Sequence, residues 1–276
     1  MSTSAAARYV MGHTDGERRR LALQASILEP FTEHLFRRAG ITRGLHVLDI
    51  GCGVGDVSLL AARLVGRTGS VTSVDIDHHA LDTLRQRAET EGHAHITTVH
   101  TDLHSFKPDR LFDAVVGRHI LIHTPDPLSV LKDARELLAP RGLAAFQEFD
   151  FRLITPSFPE MPLRDRTLRI FDEFFTAAPA VHGDMGRRLF RLLLDAGFDH
   201  PECRGEFPVD GGTESNFHEW FAESARAILP RAEAAGCPTA SGIDIDTLCE
   251  RLREEARVTG GCAAGPVMFS CFARRL

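Results

Sequence analysis

The chain has almost no lysine, and it has no excess of positive charge. Of 32 basic residues only Lys107 and Lys132 are lysines, and the formal net charge is -6 at pH 7. The pI is about 6.2. Proteins that bind nucleic acid through its phosphates usually carry a basic face or a basic pI. We therefore expect no nucleic-acid partner.

Signatures of metal ribbons, secretion and membrane insertion are also missing. None of the 6 cysteines belongs to a C-x-x-C pair, which excludes a zinc ribbon and a thioredoxin motif. No apolar run reaches the roughly 18 residues of a membrane helix, and no secretory apolar segment opens the chain. At 276 residues the chain does not need disulfides to fold. We expect a cytoplasmic protein with reduced thiols and no membrane partner; homodimerisation stays open.

The sequence is rich, by contrast, in short apolar runs that alternate with amphipathic segments. The predicted strands are 46–50, 71–76, 96–100, 112–116 and 143–149, and the predicted helices among them are 56–65, 80–91 and 128–138. This alternation is typical of βαβ units around a parallel sheet. In such a sheet ligands bind at the carboxyl ends of the strands.

Three regions are predicted along the chain. Residues 1–40 form an N-terminal helical cap in which Pro30 breaks or kinks the helix. Residues 41–150 form the ligand-binding core. Residues 151–276 form a helical lid or substrate region with the final sheet strands. In this last region we predict helices over 163–176, 185–196, 214–235 and 244–258, and strands over 203–209 and 267–273.

The strongest motif directly follows the first predicted strand. It reads Val47-Leu48-Asp49-Ile50-Gly51-Cys52-Gly53-Val54-Gly55. Its glycines let the backbone turn tightly and approach a ligand, but the spacing is not the G-x-G-x-x-G of dinucleotide sites. The Asp49 carboxylate would repel a pyrophosphate and suits a cationic ligand, directly or through water. A nicotinamide oxidoreductase is thus the weaker alternative.

Two more carboxylates follow the next strands. Asp75 lies 20 residues beyond Gly55, where an acidic side chain can accept both hydroxyls of a ribose. Asp102 can accept from the exocyclic amine of a purine, and Ile76 or Leu103 can cover the faces of that base. A ribose, an aminopurine and a positive charge without phosphate describe S-adenosylmethionine. Each carboxylate could instead be an ordinary turn or cap residue.

Over about residues 40–150 the chain resembles the class I S-adenosylmethionine-dependent methyltransferases. The motifs that carry the resemblance are the glycine motif, Val74-Asp75-Ile76-Asp77, Thr101-Asp102-Leu103, Phe112-Asp113-Ala114-Val115-Val116-Gly117-Arg118 and Leu137-Leu138-Ala139-Pro140-Arg141-Gly142. The resemblance implies an α/β fold with a doubly wound, Rossmann-like sheet of seven strands. Arg141 departs from the family, which usually has glycine there.

The resemblance also implies cofactor-binding roles. The methionine part would be held by Asp49, Gly51 and Gly53, the ribose by Asp75 and the adenine by Asp102. Leu103 would line the adenine pocket, and Arg118 would lie beside the cofactor. A looser likeness to a bacterial branch of small-molecule methyltransferases rests on Tyr9-x-x-Gly12, Glu17, Arg20-Leu21, Gln24 and Gln147-Glu148-Phe149-Asp150. It suggests that Tyr9 and Gln24 close over the cofactor, although both could be packing residues.

The candidates for a catalytic base are fewer and weaker. His119 follows the fourth strand, where a neutral imidazole could take a proton from an acceptor; a hydrogen-bonded structural histidine is the alternative. Glu148 and His182 are the substitute candidates for the base. The alternative for Glu148 is a solvated carboxylate at a strand end, and the alternative for His182 is a histidine in a capping loop. His119 and His123 have the spacing of two ligands on one helical face, but no third ligand matches, so we predict no metal.

Together these patterns predict methyl transfer from S-adenosylmethionine to a small organic acceptor of bacterial secondary metabolism, leaving S-adenosylhomocysteine. Oxygen is the first choice of acceptor atom because histidine suits its deprotonation; carbon and nitrogen stay open. The alternative is a protein of this fold that binds the cofactor for a structural or non-methyl use.

Overall fold

The computed structural model describes residues 15–177 and 181–276. The helices are α1 (Asp15–Ala39), α2 (Asp56–Val65), α3 (His78–Thr90), α4 (Pro127–Glu136), α5 (Pro162–Ala177), α6 (Met185–Asp195), α7 (Asn216–Ala234) and α8 (Leu248–Thr259). The strands are β1 (His46–Ile50), β2 (Ser70–Asp75), β3 (Ile96–His100), β4 (Phe112–Arg118), β5 (Leu138–Asp150), β6 (Asp199–Glu206), β7 (Val209–Gly211), β8 (Cys262–Ala264) and β9 (Val267–Arg274).

Seven strands form one sheet in the order β3-β2-β1-β4-β5-β9-β6. The pairings from β3 through β5 are all parallel. The prediction of a Rossmann-like, seven-stranded sheet is confirmed. The chain moves outward from β1 through β2 to β3, then returns to the other side of β1 with β4. This reversal creates a crevice at the carboxyl ends of β1 and β4, where ligands of such sheets bind.

The core explains why β1 is a strand in the middle of the sheet. Val47, Leu48 and Ile50 are all at most 2% exposed, because helices cover both faces of a parallel sheet. On one face, Phe36 of α1 and Ala61 of α2 belong to the cluster that includes Val47. This packing holds α1 and α2 against β1.

The chain divides into two compact units, which we describe separately. The sheet unit comprises Glu29–Glu148, Met185–Gly205 and Phe269–Leu276. The helical unit falls within Met1–Leu28, Phe149–Asp184 and Glu206–Met268. The predicted division at residues 40 and 150 stays a prediction.

Two sequence expectations about the elements need correction. Of the two outcomes expected at Pro30, a break is wrong, because helix α1 continues through it to Ala39; a kink stays a prediction. Strand β5 begins at Leu138, five residues before its predicted start, and its pairing with β4 shifts register between Phe112 and Ala114. The Ala139–Gly142 stretch therefore lies in a bulged part of the strand, with Arg141 at a φ of 65°, rather than in a turn before it.

The late part of the chain differs in detail. The predicted strand 203–209 is instead β6 followed by the short β7, and β7 pairs with β8, which the sequence did not predict. Helix α8 begins at Leu248 rather than residue 244. Both differences arise in Gly- and Pro-containing stretches, where the hydrophobic period is weak.

The prediction that all thiols are reduced is wrong. Cys203 of β6 and Cys271 of β9 form a disulfide, and these strands are neighbours in the sheet. The residues are separated by 68 positions in sequence, so their proximity could not be inferred from spacing.

Among the described residues, none of the helices combines the length and the apolar character needed to span a bilayer.

Candidate functional site

The loop between β1 and α2 turns on glycines with left-handed backbones. Gly51 has a φ of 62° and Gly53 a φ of 52°, conformations that cost other residues free energy. A Cβ on Gly51 would overlap Ile120, whereas a Cβ on Gly53 would meet nothing within 4 Å. Gly51 is thus required by packing, and Gly53 leaves open space beside the backbone that a ligand can approach.

Asp75 at the end of β2 ties this loop to the neighbouring strand. Its Oδ2 accepts the Gly53 N–H at 2.8 Å, and its Oδ1 accepts the Asp77 N–H at 2.8 Å. Burial raises the pKa of the carboxyl group, against the opposing effect of these N–H donors. Since a carboxylate has about four lone-pair positions, Asp75 keeps capacity for two hydroxyl donors.

Asp49 lies behind the loop rather than on its surface. It is 1% exposed and accepts a hydrogen bond from the Ser58 hydroxyl at 2.6 Å; Ser58 in turn lies 2.8 Å from the Ser73 hydroxyl. Burial raises the pKa of Asp49 to about 7, which the Ser58 hydrogen bond and the charge of Arg118 partly oppose. A cation near the loop would favour the ionised form.

Asp102 and Leu103 follow β3 in a turn that is hydrogen-bonded to β2. The Thr101 N–H donates to the Asp75 carbonyl at 3.1 Å. Asp102 is exposed and accepts the Ser105 N–H at 3.0 Å, and the hydrogen bonds with Ser105 lower its pKa. The carboxylate therefore braces its own turn, as the alternative interpretation expected, and its second oxygen can still accept. Ile76 is 55% exposed at the end of β2.

Arg118 is held in a buried polar network that the sequence did not predict. Its Nη1 donates to the Thr32 hydroxyl at 3.0 Å, and its Nη2 lies 3.8 Å from Asp56. Thr32 donates to Gln147 at 2.7 Å, and Gln147 donates to Ser270 at 2.8 Å. Burial lowers the pKa of Arg118. No local motif could reveal this network, because its members come from distant parts of the chain.

His119 leaves β4 at the same edge of the sheet. Its φ is 55° and its N–H donates to the Gln147 carbonyl at 2.9 Å. The next residue, Ile120, is the one that packs on Gly51. His123 ends a separate 3-10 turn, Leu121–His123, so the two histidines do not share one helical face as their spacing had suggested.

Glu148 is not the solvated carboxylate that one interpretation expected. It is 0% exposed, and its oxygens accept the N–H groups of Leu121 at 2.8 Å and of Ile122 at 3.3 Å. Burial raises its pKa to about 8. Its acceptor capacity is directed at the backbone that follows His119, so Glu148 fixes that segment.

Two of the predicted residues belong to the helical unit, and a third lies outside the described residues. Gln24 and His182 belong to the helical unit. Gln24 accepts a hydrogen bond from Arg20 at 2.8 Å within α1, and His182 lies in the loop before α6. Tyr9 lies outside the described residues.

Helix α3 carries a group with metal-ligand chemistry that the sequence did not predict. The ligand atoms of His78, His79 and Asp82 all lie within 4.8 Å of one another. Asp82 already pairs with Arg85 on the same helix, so the group is at least partly satisfied without an ion.

The carboxylates and backbone groups at the sheet edge fit S-adenosylmethionine. The loop presents an open backbone at Gly53, and Asp75 can accept ribose hydroxyls beside it. Asp49 supplies negative charge behind the loop, where a phosphate would be repelled and a cation stabilised. These residues come from β1 and β2 and meet because parallel strands end at the same edge of the sheet.

Comparisons with known proteins agree with this chemistry. Residues 47–142 match a family model described as methyltransferase domain. An uncharacterized 37.1 kDa protein in transposon TN4556 of Streptomyces fradiae is 30% identical over 159 residues, which cover 57% of this chain and 44% of that protein. The 2-phytyl-1,4-naphtoquinone methyltransferase of Trichormus variabilis is 30% identical over 178 residues, covering 60% of this chain and 77% of that enzyme.

The fold has solved counterparts as well. A SAM-dependent methyltransferase from Aquifex aeolicus superposes with a TM-score of 0.55 at 14% identity, over 96% of this chain and 100% of that chain. At this identity the likeness concerns the fold alone. Together with the relatives above, it leads to one assignment: the chain belongs to the class I S-adenosylmethionine-dependent methyltransferases, with S-adenosylmethionine as its cofactor.

Proposed function

We propose that this enzyme methylates an oxygen atom of a small organic acceptor in secondary metabolism. The observation that supports methyl transfer is the arrangement for the cofactor at the end of β1: an open backbone at Gly53, tied to Asp75 at 2.8 Å, with Asp49 buried behind it. In this arrangement Asp75 holds the ribose, and Gly51, Gly53 and Asp49 hold the methionine part.

The adenine end of the proposed site is built from the turn after β3. Asp102 accepts from the exocyclic amine, and Leu103 and Ile76 cover the base. Arg118 does not contact the cofactor in this proposal, because its side chain is only 8% exposed. It acts through Asp49, which its positive charge keeps partly ionised. The proposed site therefore binds the cofactor through carboxylates and backbone groups.

The sulfonium makes the methyl group electrophilic, so the protein mainly positions the acceptor and excludes water. We assign the general base to His119. It follows β4 directly. Two and three residues further on, the N–H groups of Leu121 and Ile122 donate to Glu148. Glu148 is thus a positioning residue in this proposal. His182 remains a substitute for the base.

A relative suggests which acceptor class to test. The Trichormus variabilis enzyme is described as acting on a naphthoquinone, and a fused aromatic ring with oxygen substituents is the acceptor that we propose to test first. Purified protein is incubated with S-adenosylmethionine and a panel of hydroxylated naphthoquinones and naphthalene carboxylates, and products are identified by mass spectrometry. We expect a methylated product and S-adenosylhomocysteine in equal amounts.

The variant His119→Ala tests the base. We expect kcat to fall about a hundredfold, as for loss of a general base, with the Kd of S-adenosylmethionine unchanged in calorimetry. His200→Asn is the matched control, because His200 is 94% exposed. Unchanged kcat in His119→Ala would exclude this histidine as base. Cofactor binding without product from any acceptor would instead favour a non-methyl use of the cofactor.

A further inference from the structure

The helical unit contains a group of buried hydrogen-bond donors that the proposed chemistry does not use. Arg164 on α5 is 0% exposed. Its Nη1 donates to the Thr155 carbonyl at 2.7 Å and to Asp165 at 2.8 Å. Its Nε and Nη2 have no hydrogen-bond partner among the described residues. Leaving such donors unmatched in a protein interior is costly.

Two more unmatched groups lie on the helix that packs against α5. Trp220 Nε1 and Ser224 Oγ of α7 have no hydrogen-bond partner in the described part of the chain, and their residues are 3% and 7% exposed. They are four positions apart, so they share one face of the helix. The guanidinium of Arg164 lies over the ring of Phe221, the residue after Trp220, 5.9 Å from the ring centroid. Phe221 stacks on Trp220 at 5.3 Å.

Aromatic rings continue from these donors. Trp220 lies 6.0 Å from Phe149, and Phe149 lies 5.4 Å from Phe151. Phe151 stacks on Phe175 of α5 at 4.4 Å. Apolar and aromatic walls with a few polar groups are typical of small-molecule sites.

The charges around Arg164 and Trp220 indicate which kind of ligand atom can bind there. Arg164 Nε, Arg164 Nη2 and Trp220 Nε1 can only donate, so they require acceptor atoms. Asp165 already balances the charge of Arg164 through its 2.8 Å contact, and the Glu255 carboxylate accepts the backbone N–H of Arg164 at 3.0 Å at the start of the same helix. A further full negative charge would be repelled by these carboxylates. A neutral carbonyl oxygen satisfies the donors without that cost.

We propose that Arg164, Trp220 and Ser224 form a binding site for the carbonyl oxygens of a flat aromatic molecule of the quinone type. That this molecule is the methyl acceptor rests on the proposed function; the site itself does not. Since Arg164 has no exposed surface, the ligand enters only when α5 and α7 separate, and association is slower than for an open pocket.

The single tryptophan of the chain reports on this site directly. The probe is 2,3-dimethyl-1,4-naphthoquinone, whose blocked ring positions prevent addition of thiols, and the control is 2,3-dimethylnaphthalene, which lacks the oxygens. We expect saturable, slow quenching of Trp220 fluorescence by the quinone, in the absence of S-adenosylmethionine, and at least tenfold weaker binding of the hydrocarbon. Free N-acetyltryptophanamide corrects for collisional quenching.

Arg164→Met and Ser224→Ala remove the proposed donors. We expect the Kd of the quinone to rise about tenfold or more in Arg164→Met and about threefold in Ser224→Ala. Arg169→Met is the matched control, because Arg169 lies on the same helix and is exposed; it should bind the quinone like the wild type. If Arg164→Met does not fold, as judged by thermal melting, Arg164→Lys and Ser224→Ala carry the test.

Equal binding by wild type and the donor variants, or no saturable quenching, would overturn the proposal and leave internal water as the partner of these donors. Quinone binding with no methyl transfer to any hydroxylated naphthoquinone of the acceptor panel would sustain this site and reject the proposed function. Methyl transfer that is unaffected by Arg164→Met and Ser224→Ala would sustain the function and reject the site as acceptor-binding.

Discussion

The hydrogen bonding of buried polar groups differs between the edge of the sheet and the contact of α5 with α7. At the edge, the carboxylates of Asp75 and Glu148 each accept two backbone N–H groups. Between α5 and α7, Arg164 and Trp220 keep donors without hydrogen-bond partners among the described residues. The first region is organised by the chain itself, so its geometry exists before a ligand arrives. The second is completed only by a molecule from outside.

The largest effect that would test this contrast concerns Glu148. Its pKa is about 8 in the folded protein against an ordinary value of 4.5. The folded state therefore binds this proton more tightly, and the resulting stability is present below pH 4.5 and lost as the pH rises through 8. From the linkage of pKa to stability we expect a loss on the order of 5 kcal/mol between these limits.

Glu148→Gln isolates this contribution, because its amide resembles the protonated acid in shape and charge. We expect its free energy of unfolding, measured in urea from pH 5 to pH 9, to decline much less than that of the wild type. Glu136→Gln serves as control, since the Glu136 side chain is 67% exposed. Parallel pH profiles of wild type and Glu148→Gln would show that Glu148 ionises freely, and the contrast between the two regions would fail.

The second prediction sharpens the role of Asp75. Asp75→Ala removes the acceptors of the ribose and the tie to Gly53, and we expect the Kd of S-adenosylmethionine to rise about a hundredfold, since hydrogen bonds to charged groups are each worth about 1.5–3 kcal/mol. Asp77→Ala is the control, because Asp77 caps α3 from the same turn. Calorimetry measures both. An unchanged Kd in Asp75→Ala would place the ribose elsewhere.

The smallest expected effect concerns Asp49 and pH. The pKa of Asp49 is about 7 in the free protein, and a bound cation lowers it, so cofactor affinity rises with pH up to about 7 and levels off above. We expect about fivefold weaker binding at pH 5.5 than at pH 8. The same titrations with Asp49→Asn should show this difference removed. A wild-type affinity that does not change over this range would contradict a charge role for Asp49.

The sequence predicted the sheet edge better than the helical unit for a physical reason. A strand, a glycine turn and a helix are local, and a carboxylate at a strand end is placed by the strand itself. The sequence could therefore predict that Asp49, Asp75 and Asp102 lie at strand ends, and their roles toward the cofactor stay predictions. The partner of Asp49, Ser58, lies in the first turn of α2, 9 positions away, and the partner of Arg118, Thr32, lies 86 positions away. Spacing carries no signal for such pairs.

The amino-acid sequence by itself determined the alternating sheet, the glycine loop and the family, because hydrophobic period and backbone freedom act over a few residues. Only the tertiary structure decided which charged groups are buried and which donors meet. Glu148 became a buried brace, Cys203 and Cys271 became a disulfide, and Arg164 was placed over Phe221. These outcomes depend on desolvation and on contacts between distant segments, which exist only once the helices and strands have packed.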